Sequence, residues 1–297
     1  MKQDRVGFVG LGNMGGRMTR RLVQAGIDVC GYDTDAGRAP AAGAQAAGSL
    51  RQAVEYADVV LLSLPDSRVV EAVVEGPDGI LAACRPGQVV VDLSTSAASS
   101  TQRLAGLFRA RGAQFVDAGI SGGAAAAEKG ALTLMVGGDA STIQALGWAF
   151  APISSKVVHM GASGAGHATK VLNNFLNAVS LAATAEVMVA GKKAGLDLHG
   201  LLDVLNSSSG VNFATLNRFP HIVDGNYLEG GLTSKLMTKD VVLYVDLARE
   251  LGVASLNASG PLSSFGLATA LGYGEQISNR VVDAIGDVSG GVRLKTE

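Results

Sequence analysis

Short, uninterrupted apolar runs alternate with helical patterns through the first half of the chain. Residues 6–9, 28–32, 59–64, 89–93 and 114–118 are rich in Val, Leu or aromatic side chains, and residues 15–25, 50–56, 68–74 and 99–111 read as helices between them. A strand that is apolar at every position is buried on both faces, so the alternation predicts βαβ units around a largely parallel sheet. Residues 132–136 and 156–160 add two further strands. Crossovers between parallel strands are right-handed, which makes a doubly wound α/β sheet the expected product.

The pattern changes after the glycine-rich segment 161–166. Residues 167 to about 194 are Ala-rich and almost without Gly or Pro, enough for a helix of about seven turns. Further helices are expected over 198–206, 212–223, 238–251, 261–271 and 277–285, with no convincing strand. The predicted organisation is a sheet domain over 1–162 and an all-helical domain over 163–297 that begins with a long connecting helix.

Composition narrows the classes. Of 297 residues 47% are hydrophobic and 17% charged, which excludes a disordered chain. With 24 Lys and Arg against 26 Asp and Glu the net charge is −2, giving no field that favours nucleic acid or an anionic membrane. The most apolar stretch, 175–190, is interrupted by Asn177, Ser180, Thr184 and Glu186, so no membrane span is expected. The amino terminus runs directly into the first strand without the pattern of a cleaved leader. Cys30 and Cys84 are too few for a disulfide framework, and the expectation is a soluble cytoplasmic protein. The four histidines lack metal-ligand spacing, and no G-x-S-x-G elbow occurs.

Gly10-Leu11-Gly12-Asn13-Met14-Gly15 follows the first strand and opens a helix. In a chain with 40 glycines the pattern alone means little, but this context gives it a mechanism. The glycines permit a tight turn and close approach to a pyrophosphate, which meets the first N–H groups of the helix. The plain alternative is a glycine turn without a ligand. Asp33, 18 positions after Gly15, ends the second strand, where a carboxylate accepts hydrogen bonds from both adenosine ribose hydroxyls and repels a 2′-phosphate. NAD is therefore favoured, although Arg38 nearby keeps NADP open and an ordinary turn aspartate is the other reading.

The loops after the next strands carry Leu64-Pro65, whose backbone would line a cofactor, and Thr95, which would bond its carboxamide or ribose; plain turns are the alternative. Ser121-Gly122-Gly123 exposes backbone donors suited to an anion such as a carboxylate, or forms a flexible turn. Lys170, Asn174 and Asn177 share one helix face at the expected junction. A lysine beside amides exchanges a proton with a hydroxyl or carbonyl oxygen if it lies in a cleft, and snorkels if it lies at the surface. Lys239-Asp240 is either an exposed ion pair or a lysine reaching the cofactor or substrate.

Taken in order, these motifs, with Asp92-Leu93-Ser94-Thr95, residues 132–138 and Gly164 to Asn174, resemble the β-hydroxyacid dehydrogenase family, and the resemblance covers nearly the whole chain. It implies a Rossmann-type sheet domain followed by an all-α domain, NAD or NADP as cofactor, and homodimers or homotetramers. It also implies that Lys170 is the catalytic lysine and Asn174 the asparagine that orients the substrate. Ser121, Gly122 and Gly123 would form the substrate loop, and Thr95 and Lys239 would touch the cofactor. Gly119-Ile120 departs from the family's usual Pro-Val, and Ala126 and Ala98 replace a common Gly and Pro, which bears on the substrate more than on the reaction. The expected activity is interconversion of a small, carboxylate-bearing 3-hydroxy acid like 3-hydroxyisobutyrate with its semialdehyde or oxo acid. An imine or other carbonyl reductase, or a non-catalytic dinucleotide sensor, is the alternative.

Overall fold

The structure, a computed structural model, describes residues 5–295. Residues 1–4, on which part of the amino-terminal reading rests, and residues 296–297 lie outside the described residues. Eight strands form one sheet: β1 (Arg5–Val9), β2 (Asp28–Tyr32), β3 (Gln45–Ala46), β4 (Val59–Leu62), β5 (Val89–Asp92), β6 (Gln114–Ser121), β7 (Leu132–Gly137) and β8 (Ser154–Gly161). Their order is β3-β2-β1-β4-β5-β6-β7-β8, and only β6 and β7 pair antiparallel. The chain winds from β1 out to β3 and returns to β4 on the other side of β1. The carboxyl ends of β1 and β4 thus flank the point where ligands bind in open α/β sheets.

The continuous apolar runs have the expected cause. Along β1, Val6 and Phe8 enter one core cluster while Val9 enters another; along β4, Leu61 joins the first cluster and Val60 and Leu62 the second. Successive side chains point to opposite faces, and both faces are covered. The helices of this half are α1 (Gly15–Gln24), α2 (Arg38–Ala41), α3 (Leu50–Tyr56), α4 (Ser67–Glu75), α5 (Ile80–Ala83), α6 (Ala98–Ala110), α7 (Gly123–Lys129), α8 (Ala140–Ala145) and α9 (Gly147–Phe150).

The second half is helical: α10 (Ala165–Lys193), α11 (Leu198–Asn206), α12 (Phe213–Asn217), α13 (Phe219–Ile222), α14 (Ser234–Glu250), α15 (Ser259–Ala268) and α16 (Val281–Val288). Phe175, Ala178, Leu181, Ala182, Ala185, Met188 and Val189 of α10 enter one core with residues of α13, α14, α15 and α16. Their three- and four-residue spacing is the apolar stripe of a helix. The chain divides into two compact units within α10, one ending at Lys170 and the other beginning at Val171. Among the described residues no helix is long and apolar enough to cross a membrane.

Several elements differ from the sequence expectation: the short helices α2, α5, α7, α8 and α9 are not among those it predicts, and α14 and α16 begin at Ser234 and Val281 rather than at 238 and 277. Strand β6 continues to Ser121 rather than stopping at 118, because residues 117–121 pair with β7. The two-residue strand β3 joins the sheet edge beside β2. The single helix expected over 212–223 is two, broken at Arg218 (φ −118, ψ −56), with Pro220 in the first turn of α13. Proline has no N–H for the preceding turn and clashes with its carbonyl, so the first helix ends there.

Candidate active site

Gly10 (φ +87) donates its N–H to Tyr32 O at 2.9 Å and turns the chain out of β1. A Cβ at Gly10 would lie 2.3 Å from Ser63 O, and one at Gly15 would lie 1.9 Å from Gly10 O, so both positions bring backbone against backbone. A Cβ at Gly12 would meet only Arg38 Nη1, at 3.3 Å. Met14, at the cap of α1, supplies no side-chain acceptor to the first-turn N–H groups. A tight glycine turn with room at its centre, facing a helix start that has no side-chain cap, suits a pyrophosphate. Asn13 is exposed and Met14 half-buried.

Asp33 follows β2 and is nearly buried. Its Oδ2 accepts from Leu11 N at 2.7 Å, its Oδ1 accepts from Asp35 N at 3.0 Å, and Arg38 Nη1 lies 3.6 Å from Oδ2. The carboxylate therefore fastens the glycine turn, and two oxygens with about four lone-pair sites retain capacity for a hydroxyl.

The loops after β4 and β5 are joined. Leu64 N donates to Ser94 Oγ at 2.9 Å, while buried Asp92 accepts from Ser94 N at 2.9 Å and from Ser96 Oγ at 2.8 Å. Thr95 is half-buried between those two serines, and Pro65 is exposed. Buried His167 adds a further tie: Nδ1 lies 2.7 Å from Thr101 Oγ1 and Nε2 lies 3.2 Å from Asp92 O.

Asp117, inside β6 and fully buried, accepts from Gly164 N and His167 N, each at 2.8 Å. A carboxylate at this helix start satisfies N–H groups that have no intrahelical partner and complements the helix dipole. Gly166 completes the approach, since its Cβ would lie 2.3 Å from Met135 O. Gly119 lies directly under the lysine, and a Cβ there would sit 2.5 Å from Lys170 Cβ. Half-buried Lys170 thus rests its stem on β6, two residues before Ser121. Gly122 (φ +123) and Gly123 (φ +67) then turn the chain into α7 in a conformation that favours glycine.

In the second unit Asn174 is buried and donates from Nδ2 to Asp240 Oδ2 at 2.6 Å. Asp240 is 1% exposed, and Lys239 Nζ lies 3.1 Å from its Oδ1. Phe175 stacks on Tyr244, with ring centroids 3.5 Å apart, and fixes α10 against α14 beside this group.

A family model described as the NAD binding domain of 6-phosphogluconate dehydrogenase matches residues 5–161. A second, described as the NAD-binding of NADP-dependent 3-hydroxyisobutyrate dehydrogenase, matches residues 164–281. The chain belongs to the β-hydroxyacid dehydrogenase family. This β-hydroxyacid dehydrogenase is 37% identical over 285 residues to the NAD-dependent L-serine dehydrogenase of Pseudomonas aeruginosa, covering 93% of this chain and 95% of that one. It is 32% identical over 284 residues to the 2-(hydroxymethyl)glutarate dehydrogenase of Eubacterium barkeri, covering 95% and 94%. The solved structure of Mycobacterium tuberculosis 3-hydroxyisobutyrate dehydrogenase with L-serine matches at a TM-score of 0.87 and 32% identity, covering 95% of this chain and 99% of that one. The protein is an oxidoreductase acting on a CH–OH group with NAD or NADP.

Within the first unit of this β-hydroxyacid dehydrogenase the glycine turn, Asp33 and the Leu64 and Thr95 loops gather at the carboxyl ends of β1, β2, β4 and β5. Lys170 stands over β6 upstream of Ser121, and Asn174 follows one turn later on α10. Asp240 is the residue whose part the sequence reading missed. It lies on the buried stripe of α14 with Ser234, Met237 and Val241. A carboxylate at that spacing was itself a signal, because a buried charge requires a partner.

Proposed function

We propose that the chain is an NAD-preferring dehydrogenase that interconverts a small 3-hydroxy acid with its semialdehyde or oxo acid, with Lys170 as the proton carrier. The observation that carries this reading is the support given to one face of α10. Lys170 is seated on Gly119 of β6, and one turn on, Asn174 is buried and hydrogen-bonded to Asp240. The names of the relatives support the substrate class, since L-serine, 2-(hydroxymethyl)glutarate and 3-hydroxyisobutyrate are all acids that carry a hydroxyl.

Gly10, Gly12, Asn13, Met14 and Gly15 would hold the pyrophosphate, Asp33 the adenosine ribose, and Leu64, Pro65, Thr95 and Lys239 the remainder of the dinucleotide. When bound, the nicotinamide supplies the two-electron acceptor or donor. Lys170, as the uncharged amine, takes the hydroxyl proton during oxidation and, as the ammonium, returns it during reduction. Asn174, its amide fixed by Asp240, aligns the substrate oxygen with that amine. The backbone donors of Ser121, Gly122 and Gly123 grip the carboxylate and set the carbinol carbon in place. Asp33 favours NAD because a 2′-phosphate beside its carboxylate is repelled.

The active form is read as a cytoplasmic homodimer or homotetramer. Leu172 and Leu176, four apart on α10 and exposed, support a face that a second copy covers.

The test is a spectrophotometric screen of hydroxy acids with NAD and NADP, repeated with Lys170→Ala. The variant is expected to lose about 10²- to 10⁴-fold in kcat while binding NADH normally. Undiminished turnover by Lys170→Ala would remove the lysine from the mechanism.

A further inference from the structure

His167 is a buried titratable group that the mechanism above does not use. It lies in the first turn of α10, three residues before Lys170 and in the same compact unit. Its ring reaches both ends of one loop. Nε2 lies 3.2 Å from the carbonyl oxygen of Asp92, the last residue of β5, and Nδ1 lies 2.7 Å from the hydroxyl of Thr101, in the first turn of α6. Between these two anchors runs the segment 93–97, which carries Thr95.

The partners decide what the ring does. A carbonyl oxygen only accepts, so Nε2 carries a hydrogen and donates to Asp92 O. A hydroxyl both donates and accepts, so Thr101 meets Nδ1 whichever of the two carries the hydrogen. Thr101 Oγ1 also lies 3.2 Å from Ala97 O, which ties the ring to the far end of the loop. His167, Asp92 and Thr101 are all buried, so a broken tie leaves a polar group that water does not reach. The start of α10 is held from two more directions. Asp117 of β6 accepts from His167 N at 2.8 Å, and a Cβ at Gly164 would lie 3.1 Å from Ala98 O of α6. Residues three apart on a helix have Cβ atoms about 5–6 Å apart on one side. A displacement of His167 therefore carries Lys170 with it.

We propose that His167 is a positioning residue. It clips both ends of the Thr95 loop to the helix that carries Lys170, and so sets the spacing between the nicotinamide end of the dinucleotide and the proton carrier. This rests on the reading of Thr95 as a cofactor contact and of Lys170 as the carrier of the proton. On the same reading the adenosine end is held by the glycine turn and Asp33, to which His167 makes no tie. Loosening the clip should therefore weaken the nicotinamide end alone.

The experiment compares His167→Ala, His167→Gln and Thr101→Val with the wild type. Calorimetry gives the affinities for NADH and for ADP-ribose, which lacks the nicotinamide, and kinetics give kcat on the hydroxy acid that the wild type uses best. In His167→Ala the Kd for NADH is expected to rise about 10-fold, while that for ADP-ribose stays within about 2-fold of the wild type. Its kcat is expected to fall on the order of 10- to 100-fold. His167→Gln, whose amide can still donate to Asp92 O, recovers part of both losses. Thr101→Val, which frees only the α6 end of the loop, shows part of both. Parallel losses of NADH and ADP-ribose affinity would mark His167 as merely structural and overturn the proposal. So would wild-type NADH affinity and kcat in Thr101→Val, a result that does not need the His167→Ala chain to fold. Either outcome, with Lys170→Ala inactive, leaves the proposed function standing. The affinities are read whether or not a hydroxy acid is turned over. A selective loss of NADH affinity, with no hydroxy acid used or with undiminished turnover by Lys170→Ala, leaves the loop clip and defeats the proposed function.

Discussion

At Asp240 a buried carboxylate holds the amide of Asn174 on one oxygen and faces Lys239 with the other. Replacing it by alanine leaves a buried amide donor unpaired, at a cost of about 1–3 kcal/mol, and lets Asn174 rotate. Asp240→Ala is expected to lower kcat by about 10-fold or more. Asp240→Asn, whose amide oxygen still accepts from Asn174, is expected to recover most of the loss. Steady-state kinetics on the pair check this. Equal losses in both variants would show that the charge, rather than the orientation of Asn174, matters. Asp33 shows the same economy in the first unit. Its carboxylate already accepts from Leu11 and Asp35, so the residue proposed to take the ribose also stiffens the turn beneath it.

The elements are placed by close backbone approach. Helix α10 starts against β6 and β7 because Gly166 has no side chain: a Cβ there would lie 2.3 Å from Met135 O and 2.8 Å from Gly137 N. Neither contact is to a flexible side chain, so Gly166→Ala must push the start of α10 away from the sheet and carry Lys170 with it. The expected result is a loss of about 1–3 kcal/mol in stability together with a fall in kcat, read by thermal melts and kinetics on the same preparation. Gly106→Ala, at an exposed position of α6 with nothing within 4 Å of the new Cβ, is the control. It is expected to gain up to about 1 kcal/mol. A Gly166→Ala enzyme with unchanged kcat would separate the seating of α10 from catalysis.

On the scale of the whole molecule, the sheet unit and the helical unit each bury a core of their own. The dinucleotide motifs lie in the first unit, so ligand binding is expected to stabilise the folded chain by about 2.7 kcal/mol at 100 times Kd. NAD should raise the unfolding midpoint more than NADP at equal concentration, because Asp33 repels the 2′-phosphate; an equal or larger shift with NADP would refute that preference. The alternation of runs and helices, the glycine turn and a long helix from about residue 167, which the structure begins at Ala165, were legible in the sequence because period and glycine act locally. The extension of β6 was not, since Gly119-Ile120-Ser121 is strand only through its pairing with β7. Nor was the helix break at Arg218, despite the visible Pro220. The amino-acid sequence by itself determined the kinds of element and the residue types available for chemistry. Tertiary structure decided which buried polar groups meet. Asp117 reaches amides 47 and 50 residues further on, Asp240 takes an amide 66 residues away, and Arg218 joins Asn177 to Asn279. No local pattern encodes such pairings, because each is settled only when distant segments bury their polar groups together and must satisfy one another.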